Sequence, residues 1–463
     1  MTGLASRHFT AILVATAALA VTLAVLGRAG QDFSNDEPFT ALMLEKSTAE
    51  LRDVFVDDNI PLWYGLLRPW RAMFGDTEWG LRSLSLGFYA LAVIVTGVAG
   101  RRLAGPAAGL MAAWLVATSA RIGLRFAATA RPYALVCALA AAAIAGHLLL
   151  LGDTSHPRRP ARLLAAFLLV VHLAGLFTQP LYAFFAAACA IGSLVLSPDR
   201  RGVTVATLPL AAIGLYVALW WPTLTATFLL PTTSWMTRAG LADLMTGFLA
   251  LWGWRNGWVI AGAILALLLV RRGAWRDVST RGWYFCLTVV VLTTAGMFIA
   301  SASKPVYSAA SSPIVILPAL ALAIAAALDR LGSPRLTVVL ALLVLSSAAA
   351  YAVEGLRLPD PAPSRASIAA VAREIQCGDR VVAAGVAFAP VTWYARRSGL
   401  PSCVSIEAFP QEVSRHPGWF DASSPAFRRT EFLAEAGALA LSLPPEARLW
   451  VFAADRGAGA GMT

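Results

Sequence analysis

The stretch FTAILVATAALAVTLAVLG, residues 9 to 27, contains no charged side chain, and SNDEP follows it at residues 34 to 38. An apolar run of this length fits a helix that crosses a lipid bilayer. Of all 463 residues, 58% are hydrophobic and 14% are charged, whereas soluble domains carry about 25% charged residues. We therefore predict a protein whose main solvent is the bilayer.

Similar apolar runs recur along the chain and predict about eleven membrane-spanning helices. They lie at about 9 to 28, 83 to 100, 103 to 120, 133 to 151, 163 to 179, 181 to 197, 203 to 221, 256 to 270, 283 to 302, 307 to 328 and 335 to 352. Arginines gather in alternate short loops, which places those loops in the cytoplasm. The N-terminus is then inside and the C-terminus outside. The net charge of +11 reflects this topology rather than nucleic-acid binding, so nucleic acid is not an expected partner.

The predicted fold is an all-α polytopic membrane bundle with two outer additions. The first outer loop, 29–82, holds two segments with one apolar face, which we expect to be helices in the membrane interface. The tail, 356–463, alternates helix-like and strand-like segments, which predicts a small α/β domain with parallel strands and a flexible end. The chain is thus divided into a membrane domain, 1–355, and an outer domain, 356–463.

Cysteines and histidines of the chain fall into two environments. Cys377 and Cys403 each precede a predicted strand of the outer domain, and the sequence is equally compatible with a disulfide between them and with two free thiols. Away from the ends of the spans, the side chains of the Asp, Glu, Lys, Arg and His types are His147 and His172. We favour an interhelical hydrogen bond for His172 over a proton relay. Coupled transporters usually need buried charges, so transport is disfavoured.

Polar residues gather instead in the predicted outer loops. They are Asp36, Glu37, Asp57, Asp58 and Asn59 in the first loop, Arg121, Arg125 and Arg131 in a later one, and Lys304 near the end of the bundle. A guanidinium group suits a phosphate held at the membrane surface. Snorkelling to the headgroups explains Arg121 and Arg125 equally well. Arg131 is the stronger candidate, because ARPYAL leads directly into a predicted helix.

Carboxylates and cations at one membrane surface fit the transfer of a sugar from a lipid-linked phosphate to a hydroxyl group. A carboxylate can remove the acceptor proton, and a cation can stabilise the leaving phosphate. Capping of the following helix is the competing explanation for Asp36 and Glu37, and it is compatible with catalysis. The same residues with Asp57 and Asp58 could hold a divalent metal, although no spacing requires a metal or another cofactor.

Several motifs occur in an order that matches one family. They are NDEP after the first span, DDNIPLWYGLLRPWRAMFGDTEWGLRSLS from residue 57 to 85, TARPYAL from 129 to 135, KPVYSAASSPIVILPALALAIAAAL from 304 to 328, and the tail segments CGDRVVAAG and VTWYARRSG. In this order they resemble the GT-C class of integral-membrane glycosyltransferases, specifically the bacterial branch related to protein O-mannosyltransferases and the lipid A aminoarabinose transferase.

The resemblance implies a polyprenyl-phosphate-linked sugar as donor, a glycan, lipid or protein of the cell envelope as acceptor, and an inverting displacement. It also implies a multi-pass protein of the bacterial inner (cytoplasmic) membrane, surrounded by membrane lipids, with catalysis on the outer face. The implied roles are base for Asp36, support for Glu37, and a phosphate-binding or structural role for Arg131. With their places in the outer loops, we predict donor-phosphate binding for Arg131, Arg125, Arg121 and Lys304, and a first-loop substrate site for Asp57, Asp58, Asn59 and Tyr64.

Some motif positions depart from the family pattern. Asn59-Ile60 replaces a His-Pro pair, Thr129 replaces a glutamate, and Thr178-Gln179 replaces Thr-His. The late Arg-Tyr of the family falls in the serine-rich stretch 308–312. These changes keep a second hypothesis open, in which the protein binds lipid-linked sugars or assists envelope assembly without catalysis.

Overall fold

The structure, a computed structural model, describes residues 6–34, 36–54, 60–152, 158–229, 237–253, 278–357, 365–414, 426 and 428–453. The chain forms two compact units. The first comprises Met1–Ala29, Asn59–Thr225 and Met236–Arg357, and the second comprises Gly30–Asp58, Ala226–Trp235 and Leu358–Thr463. Residues 30–58, which we expected to belong with the membrane domain, thus cluster with the C-terminal residues.

Helices dominate the described chain. They are α1 Phe9–Leu26, α2 Asp36–Met43, α3 Thr48–Val54, α4 Pro61–Phe74, α5 Glu78–Ala117, α6 Tyr133–Gly152, α7 Arg158–Thr178, α8 Tyr182–Leu196, α9 Arg200–Leu229, α10 Leu241–Ala250, α11 Val278–Ala300, α12 Leu317–Leu331, α13 Pro334–Gly355, α14 Arg365–Glu374, α15 Phe388–Ala395 and α16 Arg429–Leu441. Three strands, β1 Arg380–Ala384, β2 Ile406–Phe409 and β3 Leu449–Ala453, lie in the second unit.

Among the described residues, 7 helices are long and apolar enough to cross a membrane, namely α1, α5, α6, α7, α9, α11 and α13. Two shorter apolar helices, α8 and α10, accompany them. This confirms the predicted polytopic helical character. The predicted spans at 83–100 and 103–120 are the two halves of α5, and the one at 256–270 lies outside the described residues.

Helix α5 is too long for one membrane crossing. Its 40 residues would extend about 60 Å if straight, about twice the hydrocarbon thickness of a bilayer. The helix is broken at Ala104 and Gly105, and Gly105 has φ of 92°, a conformation that only glycine adopts readily. Pro106 follows and opens the second half. Local chemistry at these residues therefore turns one long helix into two segments.

The core of the first unit surrounds α12. Every residue of α12 from Leu317 to Leu328 is buried, and the helix packs against α5, α6 and α11. The indole of Trp283 on α11 donates a hydrogen bond to the carbonyl of Ala323 at 2.9 Å. Trp114 on α5 donates to the carbonyl of Ala341 on α13 at 3.1 Å. Because lipid tails are as apolar as these side chains, close packing and such hydrogen bonds stabilise the bundle.

The second unit contains a three-stranded sheet of order β2-β1-β3, in which both pairs are parallel. This confirms the α/β domain predicted from the tail. Cys377 and Cys403 form a disulfide, with Cα atoms 5.4 Å apart. Helix α2 of the first loop packs against α15 of this domain. Next to this contact, the Phe33 amide donates to the Tyr394 hydroxyl at 2.7 Å.

Asp379 joins the segment before β1 to the start of β3. Its carboxylate accepts hydrogen bonds from the main-chain amide of Arg448 at 2.9 Å, from the amide of Gln376 at 3.1 Å and from the indole of Trp450 at 3.1 Å. The amide hydrogen bond from Arg448, with the other donors, holds the pKa of Asp379 well below its usual range. The charged form of this buried carboxylate therefore stabilises the sheet.

Candidate active site

Glu37, one of the two adjacent carboxylates of SNDEP, caps a helix. It is fully buried, and its Oε2 accepts hydrogen bonds from the amide of Ser34 at 2.9 Å and from the hydroxyl of Ser34 at 3.1 Å. A glutamate that accepts from the amide of a serine three residues earlier makes one of the two bonds of a capping box. The capping explanation therefore holds for Glu37, whose contacts fix the start of α2.

Asp36, the other carboxylate, lies in a different environment. It is exposed in the first turn of α2, where the helix dipole favours negative charge. The Thr40 hydroxyl bonds to the main-chain carbonyl of Asp36 at 3.0 Å, so this contact leaves the carboxylate unoccupied. Asp36 is thus the carboxylate of the pair that a substrate can reach. Three other predicted first-loop residues, Asp57, Asp58 and Asn59, lie outside the described residues.

Asp32 is a third carboxylate of this segment, and sequence reasoning missed it. It is buried and accepts a hydrogen bond from the amide of Arg365 on α14, whose guanidinium lies 3.8 Å from its carboxylate. Farther along, Glu45 pairs with Arg396 at 2.6 Å. Both contacts join residues far apart in sequence, so they could not be predicted from the local sequence. They hold the chain on either side of α2 against the C-terminal domain.

Arginines converge at one end of the first unit. We call them the arginine cluster, and they are Arg28, Arg82, Arg121, Arg125 and Arg131. Arg28 follows the end of α1, Arg82 lies near the start of α5, Arg121 lies in the π-helical turn Ala120–Leu124, and Arg125 comes directly after that turn. Those elements pack against one another and against α13. Three of the arginines, Arg28, Arg82 and Arg125, act electrostatically on the hydroxyl of Tyr351 on α13.

Arg82 is the member most unlike a surface residue. It is fully buried near the start of α5, with its guanidinium carbon 5.4 Å from the ring centre of Trp79. Burying a charge is costly unless partners compensate it, and arginine suits a buried anion because its planar group donates in two directions. In the sequence, Arg82 stands directly before a predicted span, where arginine is common. The segment GLRSLS, part of the motif that resembles the family, was the signal that could have drawn attention to it.

Arg131, the arginine favoured by sequence, is tied to the same helix. The hydroxyl of Ser85, one turn beyond Arg82, donates to the carbonyl of Thr129 at 2.6 Å, and the carbonyl of Arg131 lies 3.3 Å from that hydroxyl. Exposed Arg121 pairs with Glu354 at 3.5 Å, which offsets part of the positive charge. The structure therefore brings the predicted arginines together and adds buried Arg82 to them.

Tyr351 lies among these cations and packs against the end of α1. A Cβ atom on Gly27 would lie 2.1 Å from the Tyr351 ring, so only glycine allows this approach. The Tyr351 hydroxyl is buried and has no hydrogen-bond partner among the described residues. A phosphate oxygen would be a good acceptor for it.

The remaining predicted residues of the first unit are Lys304 and Tyr64. Lys304 is half-buried in the loop after α11, and this burial lowers the pKa of its ammonium group. That loop leads to the turn Ser312–Ile314, which packs against Ala120–Leu124. Tyr64 on α4 is buried. Among the described residues, the group with metal-ligand geometry is His147, His172 and Cys189, and it includes no first-loop carboxylate.

Comparison with known proteins identifies the fold. No family profile and no curated protein sequence matches the chain. ArnT from Cupriavidus metallidurans in the apo state matches it with a TM-score of 0.60 at 14% identity, over 87% of this chain and 86% of that one. The fold is that of the GT-C glycosyltransferases.

Two further structures share the GT-C fold. ArnT bound to undecaprenyl phosphate matches with a TM-score of 0.55 at 14% identity, over 96% of this chain and 89% of that one. The Archaeoglobus fulgidus oligosaccharyltransferase tethered with an acceptor peptide matches with a TM-score of 0.53 at 12% identity, over 93% of this chain and 68% of that one. At such identities the GT-C fold alone is shared, and residue roles are argued from the chain itself.

Proposed function

We propose that the protein is a membrane glycosyltransferase that moves a monosaccharide from a polyprenyl-phosphate donor to an envelope acceptor. The arginine cluster on a bundle with the GT-C fold is the observation that carries this proposal. A structure of the same fold holds undecaprenyl phosphate, which supports a lipid phosphate as the ligand. The donor lipid then lies in the bilayer, and its phosphate meets cations at the membrane surface.

The arginine cluster binds the donor phosphate in this proposal. Arg82 supplies a buried charge, Arg28 and Arg125 add positive potential, and the Tyr351 hydroxyl donates a hydrogen bond. As the bond between sugar and phosphate breaks, the phosphate takes the electron pair and gains charge. Cations held in a poorly solvated site stabilise that charge more strongly than water-exposed ones, so no acid is needed for the leaving group.

Asp36 acts as general base in this proposal. Its carboxylate takes the proton of the acceptor hydroxyl while the acceptor oxygen attacks the anomeric carbon, and the polyprenyl phosphate departs from the opposite side. One displacement of this kind inverts the anomeric configuration. Glu37 supports the reaction indirectly, because its contacts with Ser34 fix the helix that carries Asp36. Catalysis is assigned to the extracytoplasmic face of the bacterial inner membrane.

A second candidate is a protein that binds lipid-linked sugars, or assists envelope assembly, without transferring a sugar. Thr129 favours it, because this residue stands where the resembling family has a glutamate. Its hydroxyl donates to the carbonyl of Arg125 at 2.7 Å and thus serves the local turn. The arginine cluster would serve binding equally well, so the two candidates differ in turnover and not in ligand.

Comparing the lipid-linked sugars and envelope glycans of cells with and without the gene separates these candidates. Loss of a transferase should remove one sugar from an envelope glycan, lipid or protein and raise the amount of its polyprenyl-phosphate precursor. Restoring the gene should reverse both changes. An unchanged precursor level together with an unchanged glycan composition would contradict the transferase.

A further inference from the structure

Three consecutive helices of the first unit bring together two histidines and a cysteine. His147 lies on α6, His172 on α7 and Cys189 on α8, and all three side chains are fully buried. One ring nitrogen of each histidine and the Sγ of Cys189 lie within 4.8 Å of one another. The proposed sugar transfer uses none of these side chains.

The hydrogen bonds around these residues have a definite direction. The Ser193 hydroxyl donates to the carbonyl of Cys189 at 2.8 Å, so its oxygen must accept from His147 Nδ1 at 2.9 Å. His147 therefore carries a lone pair on Nε2. His172 Nε2 lies 3.1 Å from that atom and must donate to it. This confirms the interhelical hydrogen bond expected for His172.

The same chain of hydrogen bonds ends on an unsatisfied atom. With its proton on Nε2, His172 has a lone pair on Nδ1, and this buried nitrogen has no hydrogen-bond partner among the described residues. The ring of Tyr182 lies 6.0 Å away, centre to centre, and its buried hydroxyl also lacks a partner in the described part of the chain. The free Nδ1 of His172 can take up the proton that now lies between the two Nε2 atoms, and both Nε2 lone pairs are then available to an ion.

The surroundings suit a soft metal ion rather than a hard one. Imidazole and thiolate are the ligands, and the rings of Phe185 and Phe285 lie within 6.4 Å and 5.5 Å of the histidine rings, centre to centre. Thiolate and imidazole favour Cu(I) and Zn(II) over Mg(II) or Ca(II). Ser193 also holds His147 from the side opposite to the ligand atom, as supporting residues do in metal sites.

Charge decides between the two soft ions. A thiolate with two neutral imidazoles and Cu(I) is neutral overall, whereas the same ligands around Zn(II) leave one positive charge. An uncompensated charge among apolar helices is costly, so the monovalent ion is favoured. Donor atoms within 4.8 Å need only a small inward shift to reach metal–nitrogen distances of about 2 Å and metal–sulfur distances of about 2.3 Å.

We propose that His147, His172 and Cys189 bind one Cu(I) ion inside the helix bundle. The ion replaces the proton between the two Nε2 atoms, and that proton moves to Nδ1 of His172. The Cys189 thiol loses its proton to water as the copper–sulfur bond forms. Copper enters and stays as Cu(I), so no electron is transferred. The bound ion cross-links α6, α7 and α8.

Metal analysis of the purified full-length protein tests this site. Protein in detergent is loaded with Cu(I) kept reduced by ascorbate, without a thiol reductant so that the Cys377–Cys403 disulfide stays closed, then passed over a desalting column and measured for copper and zinc. The control variant is Cys137→Ser, which changes a buried cysteine on α6 that is not part of the site. The wild type and this control should each retain one copper per chain. Cys189→Ser should retain roughly tenfold less, and X-ray absorption of the wild type should show both sulfur and nitrogen ligands.

Three results would overturn the proposal. They are a wild type without retained copper, a Cys189→Ser variant with undiminished copper at the same elution volume, and a copper spectrum without sulfur. Retention of zinc but not of Cu(I) would overturn the choice of metal. Because the absorption spectrum and the wild-type copper content need no substitution, the test holds even if Cys189→Ser fails to fold.

Discussion

Single residues show how far local sequence leads in this protein. The capping role of Glu37 is readable from SNDEP because its partner, Ser34, is three residues away. The burial of Arg82 is not readable, because it depends on helices distant in sequence. The same is true of Asp32, whose partner Arg365 lies in the C-terminal domain. The residue types thus indicated which side chains could carry the chemistry, while tertiary packing determined which of those side chains are buried.

Substitution of Glu37 tests whether its role is structural. Glu37→Ala removes the acceptor of the Ser34 amide and should lower the free energy of unfolding by about 1 to 2 kcal/mol. Thermal unfolding of the detergent-solubilised protein measures this loss, and binding of polyprenyl phosphate should persist. Unchanged stability together with abolished sugar transfer would show that Glu37 has a chemical role instead.

Substitution of Arg82 tests the phosphate site. Arg82→Gln removes a buried positive charge from the arginine cluster, so the affinity for polyprenyl phosphate should fall about tenfold or more. The matched control is Arg102→Gln, which removes an exposed arginine from a different part of α5 and should bind as the wild type does. Equal affinities for both variants would remove Arg82 from the site.

At the scale of elements, the lengths of the apolar runs and the positions of the residues that break them predicted most helices and all three strands. The α/β domain followed from the alternation of strand-like and helix-like segments, and the observed sheet is parallel as expected. The packing of α2 against α15 could not be predicted, because a short helix after a span carries no signal of its tertiary partner.

Asp379 gives the C-terminal sheet a defined pH dependence. Its pKa is lowered in the folded state, so its contribution to stability is present above the unfolded pKa of about 4 and is lost as the pH falls below that value. Thermal unfolding of the wild type at pH 7 and pH 3 should therefore show a drop in Tm. Asp379→Asn should lower the Tm at pH 7 and flatten this difference.

A matched control for that experiment is Glu446→Gln, which changes an exposed carboxylate just before β3. It should retain the pH dependence of the wild type. If the difference between pH 7 and pH 3 in Asp379→Asn is as large as in the wild type, other carboxylates are responsible for it.

At the scale of the whole molecule, motif order predicted the GT-C fold, and the structural comparison confirms it at 14% identity. At this identity the comparisons with family profiles and with curated sequences found no match. The prediction of the GT-C fold therefore depended on the order of several weak motifs. Orientation rests on the arginine-rich loops. The predicted orientation depends on which loops cross the membrane during insertion, and the packing of the helices does not determine it.

Cysteine labelling in intact cells tests the orientation. Arg429→Cys on α16 should react with a membrane-impermeant maleimide from outside, whereas Arg200→Cys at the start of α9 should react only after permeabilisation. Both positions are exposed, so access depends on the side of the membrane. The reverse pattern would place the C-terminal domain in the cytoplasm.

The most direct test of the central claim is sugar transfer by purified Asp36→Asn. With the donor identified from cells lacking the gene, this variant should transfer sugar at least about 100-fold more slowly than the wild type, while it still binds polyprenyl phosphate. Glu50→Gln, which changes an exposed carboxylate of the same loop whose hydrogen bond is local to Ser47, should transfer normally. Transfer by Asp36→Asn at the wild-type rate would contradict the account.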